Sequence, residues 1–196
     1  MLVYKLVYWA GMIIEVVVRA PFQKTAKEGV KTDRRVSRTE NILLSLLTVV
    51  AGVLPLIYSV THWLDFANYQ LPAWLGWTGV FLLAVSLFIF WCAHADLKSN
   101  WSPSVEIRQD HTLVTNGIYH FIRHPMYASQ LVWAIAQILL LQNWLAGPLN
   151  LLFFIFFYLL RVRVEEKMIL DTFGNQYRDY MNKTGGIIPL ITNRAD

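Results

Sequence analysis

The stretch 111–127 concentrates polar and ring-bearing side chains just before the chain enters another hydrophobic block. It ends in Arg123, His124, Pro125, Met126 and Tyr127. Pro125 has no backbone N–H and disfavours helical geometry at His124, so we expect a helix to begin near Pro125. The open N–H groups of that helix, beside Arg123 and His124, are a natural seat for a carboxylate or a phosphate. The same residues also suit a membrane-entry loop among lipid headgroups, and this stretch alone does not decide between the two.

A second polar cluster follows the last hydrophobic block and comprises Arg161, Arg163, Glu165 and Glu166. Arg161 and Glu165 are four positions apart, so on a helix they share one face. Such a pair is usually a surface ion pair worth a few tenths of a kcal/mol. At a membrane boundary facing the stretch 111–127, it would instead present a fixed cation and a fixed carboxylate to a ligand.

Hydrophobic blocks position both clusters. The chain of 196 residues is 56% hydrophobic and 15% charged, and its mean hydropathy is +0.41, which is typical of a membrane protein. Five apolar runs, each long enough for a span or a slightly short one, occupy residues 2–18, 41–64, 73–93, 127–142 and 145–160. The sequence predicts an all-α integral membrane protein of one domain with about five transmembrane helices. Residues 1–93 supply three of them, and 94–196 carry both clusters and a helical hairpin that turns at 142–144.

Several residues predict details of these helices. Pro55 should kink the second span, with neighbouring helices satisfying the carbonyl group that it frees. Gly76 and Gly79 allow close packing of the third span. Glu15 should pair with a cation or reach the interface, with a role in a site as the alternative. The pattern between 105 and 114 allows a short extended excursion.

The charges of the loops predict the orientation of the chain. Residues 19–40 carry seven Lys or Arg against three acids, and more basic residues follow position 160, whereas residues 65–72 carry no Lys or Arg. This asymmetry predicts an external N-terminus, a cytosolic C-terminus and a site on the cytosolic side. The tail 161–181 should form an amphipathic helix, weakened at Gly174, that extends the fifth span and folds over the site.

Several kinds of chemistry lack a motif in this sequence. It contains no Gly-x-Gly-x-x-Gly, no phosphate-binding loop and no His-Glu-x-x-His. The single cysteine, Cys92, allows neither a disulfide within the chain nor a cysteine-based metal site. His94 and Asp96 would point apart on a helix, so we interpret them as interface residues and expect no metal. We expect the net charge of +4 to set the membrane topology and to contact lipid headgroups, and not to bind nucleic acid. Any chemistry at this site would therefore rely on positioning and charge and not on a protein nucleophile.

Four motifs occur in a fixed order on both sides of the predicted hairpin. They are LVTNGIY at 113–119, RHPMY at 123–127, Arg161 with Glu165 and Glu166, and Phe173-Gly174 followed by Tyr177 and Tyr180. Together they resemble the isoprenylcysteine carboxyl methyltransferase family. The resemblance covers about residues 94–190, whereas the earlier spans match only in hydrophobic layout. With five predicted spans, the chain is similar to the compact prokaryotic-type members of that family.

The resemblance implies an integral membrane methyltransferase that uses S-adenosyl-L-methionine to methylate the carboxylate of a lipid-modified, isoprenylcysteine-like substrate. A tunnel between helices would admit this substrate from the bilayer, and another lipid-like acceptor is the alternative. The cofactor would bind between loop and tail, at positions marked by the family motifs: His111, Thr112, Leu113, Val114, Tyr119, His124, Pro125, Met126, Tyr127 and Glu165. Arg161 would orient the substrate carboxylate, and Glu106 is a further candidate for the cofactor.

The chemistry of methyl transfer agrees with these assignments, although other functions remain open. A carboxylate is already ionised at neutral pH, so its methylation needs no general base. A phospholipid N-methyltransferase acts on an amine and would prefer a carboxylate to Arg161 on the acceptor side. A membrane sterol or enone reductase that uses NADPH has a similar Arg-His-Pro and Phe-Gly-x-x-Tyr pattern but is normally much longer. A membrane scaffold without activity is disfavoured by the joint presence of Arg161, Glu165, His124 and Tyr127.

Overall fold

A computed structural model describes residues 1–28, 31–35, 38–101, 106–108 and 111–190, with the backbone alone at 24–28, 31–34, 99 and 106–108. The helices in these ranges are α1 (Leu2–Glu28), α2 (Arg38–Thr48), α3 (Leu54–Val60), α4 (Ala73–Leu97), α5 (Pro125–Leu141), α6 (Pro148–Phe173) and α7 (Asn175–Lys183). A π-helical segment, Val49–Val53, joins α2 to α3 without a break, and short 3₁₀ turns cover Asp65–Ala67, Lys98–Asn100 and Gly117–His120. The prediction that a helix begins at Pro125 is confirmed.

Two short strands interrupt the otherwise helical fold. Strand β1 (Lys31–Arg34) pairs antiparallel with strand β2 (Glu106–Arg108). This pair connects the segment between α1 and α2 to the segment between α4 and α5. Strand β2 lies where the sequence allowed an extended excursion, whereas β1 was not expected.

Five rods of helix form the bundle: α1, the continuous α2–α3 rod, α4, α5 and α6. Two stretches, Arg38–Val60 and Ala73–Leu97, are long and apolar enough to cross a membrane. On the outside of the bundle, large apolar side chains are exposed, among them Val16, Phe81 and Leu152 at 65%, 65% and 62%. An apolar surface of this extent suits lipid and not water. The predicted helical membrane class is therefore confirmed.

The irregularity at Pro55 takes the form of the π-helical segment that precedes it. Proline has no N–H for the carbonyl four residues earlier, which here belongs to Ala51. That carbonyl accepts a hydrogen bond from the Tyr8 hydroxyl, and the neighbouring Val50 carbonyl accepts one from Gln137 Nε2 at 3.1 Å. Helices α1 and α5 thus satisfy the freed backbone groups, as the sequence predicted.

Close packing holds α4 against α5. A Cβ atom added at Gly79 would lie only 2.8 Å from the Leu139 Cβ atom, so a larger residue would force the helices apart. Two turns further along α4, the buried Ser86 hydroxyl donates to the Ser129 carbonyl at 2.8 Å. These contacts fix the position of the start of α5, where the RHPMY motif lies.

The hairpin between α5 and α6 turns where the sequence predicted. Gln142 adopts the left-handed conformation with φ 49°, and the Asn143 side chain accepts from the backbone N–H groups of Leu145 and Ala146 at 3.0 Å each. Asn143 also donates to the Leu64 carbonyl at 2.7 Å, so the turn is fixed to the end of the α2–α3 rod. We call this the hairpin end of the bundle.

The opposite end, where α4 ends and α5 and α2 begin, is called the site end. Here α6 continues beyond its apolar run to Phe173 and stops at Gly174, whose φ of 55° favours glycine. The chain then forms α7 and returns across the start of α5. The predicted tail helix, broken at Gly174, is confirmed.

Candidate active site

Asn100 positions the first part of the polar stretch. Its side-chain Nδ2 donates to Thr112 Oγ1 at 3.1 Å, and its Oδ1 accepts from the Thr112 backbone N–H at 3.1 Å. Residues 111–114, which have no regular secondary structure, are therefore held beside the end of α4. Backbone and side-chain groups of this segment face the cavity described below.

Asp96 positions the next turn. Its carboxylate accepts from the backbone N–H of Ile118 at 2.7 Å. Gly117 has φ 59°, and a Cβ atom there would overlap the Asp96 carboxylate, so the turn requires glycine. The turn directs Tyr119 into the protein, where it is 7% exposed. Its carbonyl accepts a hydrogen bond from the Tyr180 hydroxyl of α7.

Residues 184–186, which we call the strap, cover the start of α5. The Arg123 backbone N–H donates to the Gly185 carbonyl at 2.7 Å, and that of His124 donates to the Gly186 carbonyl at 3.1 Å. The Arg123 guanidinium also donates to the Thr184 carbonyl. The strap carbonyls thus accept hydrogen bonds from N–H groups that precede α5, and these bonds hold the tail over the cavity.

Glu166 pairs with the side chains of Arg123 and His124. Its Oε1 accepts from Arg123 Nε at 3.2 Å, from Arg123 Nη2 at 2.9 Å and from His124 Nε2 at 3.0 Å. The hydrogen bond from His124, together with those from Arg123, holds the pKa of the Glu166 carboxyl below its usual range in spite of partial burial. The Arg123 and His124 side chains are therefore already paired with a carboxylate of the protein, and a ligand at the open N–H groups of α5 stays a prediction.

Arg161 lies between two carboxylates. Its Nη1 is 3.4 Å from Glu40 Oε1, and its Nε is 4.0 Å from Glu165 Oε2. Only 12% of the Arg161 side chain and 9% of the Glu40 side chain are exposed, so this is a mostly buried ion pair. Glu165 Oε2 also accepts from the Tyr127 hydroxyl at 2.6 Å, and His124 Nδ1 is 3.8 Å from Glu165 Oε1. The predicted shared face of Arg161 and Glu165 is confirmed, and Glu40 is an unexpected third member.

A cavity of about 550 Å³ joins these groups. Every predicted site residue lines it: Arg161, His111, Thr112, Leu113, Val114, Tyr119, His124, Pro125, Met126, Tyr127 and Glu165. The individual roles of these residues stay predictions. Glu106 belongs to β2, and its side chain lies outside the part of the chain that the structure describes.

From the polar residues the cavity continues as an apolar arm into the bundle. One face of α6 lines it, through Asn150, Phe154, Phe157, Arg161 and Glu165. The eleven helical steps from Asn150 to Arg161 correspond to about 16 Å of helix. Opposite this face lie Met12, Leu44, Leu47, Phe90 and Trp133 from the other rods. An arm of this length and composition suits the hydrocarbon part of a ligand.

The polar part of the cavity offers hydrogen-bonding groups to a ligand. The Tyr177 side chain is 1% exposed, and its hydroxyl has no hydrogen-bond partner among the described residues. Burial raises the pKa of this phenol, so it remains a donor. A buried unpaired hydroxyl is unfavourable unless a ligand satisfies it. Glu165 can accept from hydroxyl or amino groups, and the described residues include no cluster of three or more possible metal ligands.

Three contributors to the cavity were not assigned from the sequence. Glu15 accepts from Arg19 at 3.2 Å and from Gln130 at 2.9 Å, and all three residues line the cavity. The predicted pairing of Glu15 is confirmed, whereas its place in the cavity wall was only the alternative. Its charge within an apolar run was the signal.

His94 differs from its interpretation as an interface residue. It is fully buried, and Nδ1 contacts the Phe90 carbonyl at 2.9 Å. Its ring lies 5.0 Å from the Phe22 ring and 5.1 Å from the Trp101 ring. His94 therefore packs the junction of α1, α4 and the following loop, away from Asp96, which binds the 116–118 turn.

Fold and site together define a helical membrane protein with a deep cavity that is polar at one end and apolar at the other. Residues 77–171 match the isoprenylcysteine carboxyl methyltransferase family. A solved structure described as the eukaryotic intramembrane Ras methyltransferase of that name superposes with a TM-score of 0.59 at 26% identity, covering 95% of this chain and 63% of the other.

Curated relatives support the same assignment. The protein-S-isoprenylcysteine O-methyltransferase of Tribolium castaneum is 33% identical over 144 residues, which is 69% of this chain and 51% of the relative. The Saccharomyces cerevisiae enzyme of that name is 45% identical over 86 residues, or 42% of this chain and 34% of the relative. The chain thus spans about half the length or less of these two relatives. Residues 77–171 and these relatives make the chain similar to the isoprenylcysteine carboxyl methyltransferase family.

Short members of the family are not restricted to prokaryotes. A probable protein-S-isoprenylcysteine O-methyltransferase of Oryza sativa subsp. indica is 25% identical over 160 residues, which is 81% of this chain and 84% of the relative. The short layout that the sequence analysis associated with prokaryotic members therefore also occurs in a plant relative.

Proposed function

We propose that this protein is an integral membrane methyltransferase that uses S-adenosyl-L-methionine to methylate the carboxylate of a lipid-modified, isoprenylcysteine-like substrate. The observation that carries the proposal is one continuous cavity, in which a buried arginine and a glutamate lie where a polar pocket meets an apolar arm. A lipid carboxylate placed in the arm would meet Arg161, with the cofactor on the Glu165 side.

The residues of the polar pocket divide into two roles. His111, Thr112, Leu113, Val114, Tyr119, His124, Pro125, Met126, Tyr127 and Glu165 would bind the cofactor. Glu165 accepts from its hydroxyl or amino groups, and Tyr127 fixes the orientation of Glu165 through their 2.6 Å hydrogen bond. The Tyr177 hydroxyl would donate to the same ligand.

Arg161 would orient the acceptor carboxylate through parallel N–H bonds from its planar guanidinium. When bound, the cofactor supplies an electrophilic methyl group on a positively charged sulfur. Held on the Glu165 side of the cavity, the cofactor would supply this methyl group to a carboxylate that Arg161 orients. No proton is transferred, so the protein contributes by alignment and by exclusion of water.

We extend the proposal to the topology of the chain. All five helical rods would span the bilayer, with the N-terminus outside and the C-terminus in the cytosol. Arg35 of the α1–α2 segment contacts Asp171 of α6 at 2.8 Å, so this basic residue lies beside α6 at the site end. The positive-inside rule supports a cytosolic location for the site. Residues 1–93 and 94–196 would be the supporting and catalytic halves.

Calorimetry on the detergent-purified protein tests the proposed function. S-adenosylhomocysteine should bind, NADPH should not, and methyl transfer to N-acetyl-S-farnesylcysteine should follow. Binding of NADPH alone would replace the proposal by a membrane reductase. Binding of neither ligand, in protein that unfolds cooperatively, would contradict any cofactor role for the cavity.

A further inference from the structure

The deep end of the cavity is closed by fully packed core. Trp133 and Asn150, which line it, are 2% and 5% exposed. Behind them lies Gln137, which is fully buried and accepts from Asn150 Nδ2 at 2.8 Å. Gln137 also donates to the Ala146 carbonyl at 2.6 Å. Each of these polar groups has a hydrogen-bond partner, so the floor of the cavity is well packed and rigid.

Gly52 forms the side wall near this floor. It lies in the π-helical segment and lines the cavity together with Thr48 and Ala51. A Cβ atom added at Gly52 would meet nothing within 4 Å. The helix conformation does not require glycine here, because no positive φ occurs at this position. Glycine in a helix is less favourable than alanine, so its presence leaves space at a stability cost.

The wall that carries Gly52 is held in place from two sides. The Ala51 carbonyl accepts from the Tyr8 hydroxyl, and the Val50 carbonyl accepts from Gln137 Nε2 at 3.1 Å. Tyr8 and Gln137 also bond to each other at 3.1 Å, so wall and floor share one hydrogen-bond network. Movement of the wall away from a longer ligand would break bonds in a buried setting.

We propose that Gly52, with the floor at Trp133 and Asn150, sets the maximum length of the lipid chain that the cavity accepts. This inference rests on the proposed function, since it assumes a lipid carboxylate held by Arg161 at the other end of the arm. The chain would extend along α6 from Arg161 and end beside Gly52. A side chain at position 52 would occupy the space of the last part of the lipid.

A series of acceptors that differ only in chain length tests the limit. N-acetylcysteine carrying geranyl, farnesyl or geranylgeranyl is assayed for methyl transfer and, separately, for its effect on the unfolding temperature. Gly52→Leu should lower kcat/KM for the longest acceptor that the wild type uses by at least about tenfold relative to the shortest. Gly52→Ala should cause a smaller shift in the same direction. Val53→Phe adds bulk on the neighbouring residue, which is 43% exposed, and should leave the chain-length preference unchanged.

The outcomes separate this inference from the proposed function. If the wild type and Gly52→Leu bind S-adenosylhomocysteine equally and show the same chain-length preference, the limit at Gly52 is wrong while the methyltransferase stands. An equal shift in Val53→Phe would also overturn it, because the effect would then be general to the helix. If no acceptor of the series binds or reacts, both the acceptor class and the length limit fail.

Discussion

Arg161 is a mostly buried cation between two carboxylates. Its 3.4 Å separation from Glu40 and 4.0 Å separation from Glu165 exceed the 2.7–2.9 Å that is typical of a close charge-assisted hydrogen bond. Glu40 offsets part of the cost of burying the charge of Arg161. Under the proposed function, a substrate carboxylate would join these partners of the guanidinium.

Substitutions at Arg161 and Glu165 should have different effects. Arg161→Ala should lower kcat/KM by about 100-fold or more, because misplaced reactants lose roughly this factor, and should leave the affinity for S-adenosylhomocysteine unchanged. Glu165→Ala should weaken that affinity by about tenfold, which is the loss expected for a charged hydrogen bond. Calorimetry and a methyl-transfer assay measure the two quantities. Equal loss of cofactor affinity in both variants would contradict this division of roles.

Glu40→Gln is the matched control for Arg161→Ala. It removes the same buried ion pair from the other side but keeps the guanidinium that would orient the substrate. Arg161→Lys keeps the charge and loses the planar fork, so its activity should fall while Glu40 remains paired. If Glu40→Gln lowered activity as much as Arg161→Ala, the role of Arg161 would be structural.

The sequence could identify Arg161 and Glu165 because their spacing of four places them on one helix face whatever the fold. It could not identify Glu40, since that contact depends on how α2 packs against α6. Similarly, Glu166 is adjacent to Glu165 in sequence, yet it points to Arg123 and His124 and leaves the cavity to its neighbour. The two glutamates differ in the direction of their side chains on α6, and the motif alone does not specify that direction.

The strap and α7 form the element that closes the cavity from the site end. They are tied to the start of α5 by backbone bonds and by the contacts of Arg123 with the Thr184 carbonyl and Glu166. Glu166 contributes as a carboxylate, because the Arg123 guanidinium only donates and could not accept a hydrogen bond from a protonated Glu166. Closure of the cavity should therefore depend on the ionisation of Glu166.

Acid should weaken this closure through Glu166. Since its folded pKa lies below the unfolded value of about 4.3, the stability that it contributes is fully present above that pH and is lost as the pH falls through the folded pKa. Thermal unfolding between about pH 3 and pH 7 should show Glu166→Gln less stable than the wild type at neutral pH, with the two converging in acid. Asp179→Asn, on an exposed part of α7, is the control and should follow the wild type. Parallel curves for Glu166→Gln and the wild type would contradict the assignment.

Local signals predicted the elements that local chemistry controls. Pro125 begins α5 and Gly174 separates α6 from α7, because each residue restricts or frees its own backbone. Local signals could not predict the π-helical segment, because it depends on Tyr8 and Gln137 from other rods to satisfy the carbonyls before Pro55. Strand β1 pairs with a partner far along the chain, and no local pattern marks that pairing.

At the scale of the whole molecule, three rods connect the two ends of the bundle. Asn143, in the turn between α5 and α6, contacts Asn68 at 2.9 Å just before α4 begins. The beginning of α4, the end of α5 and the beginning of α6 therefore share the hairpin end, while their other ends share the site end. Helix α5 has 17 residues and is about 25 Å long, slightly less than the roughly 30 Å of a hydrocarbon core. Local thinning of the bilayer or polar flanks can accommodate this difference.

If these three rods all cross the membrane, the hairpin end and the tail lie on opposite sides of it. In a Cys92→Ser background, Phe66→Cys places a thiol at the hairpin end, where the native side chain is 81% exposed, and Lys183→Cys places one at the exposed end of α7. A membrane-impermeant maleimide added to intact cells should label position 66, and it should label position 183 only after permeabilisation. The reverse pattern would mean an inverted protein, with the positive-inside rule broken. Labelling of both positions from outside would mean an even number of crossings between them, which is incompatible with five spans and a cytosolic site.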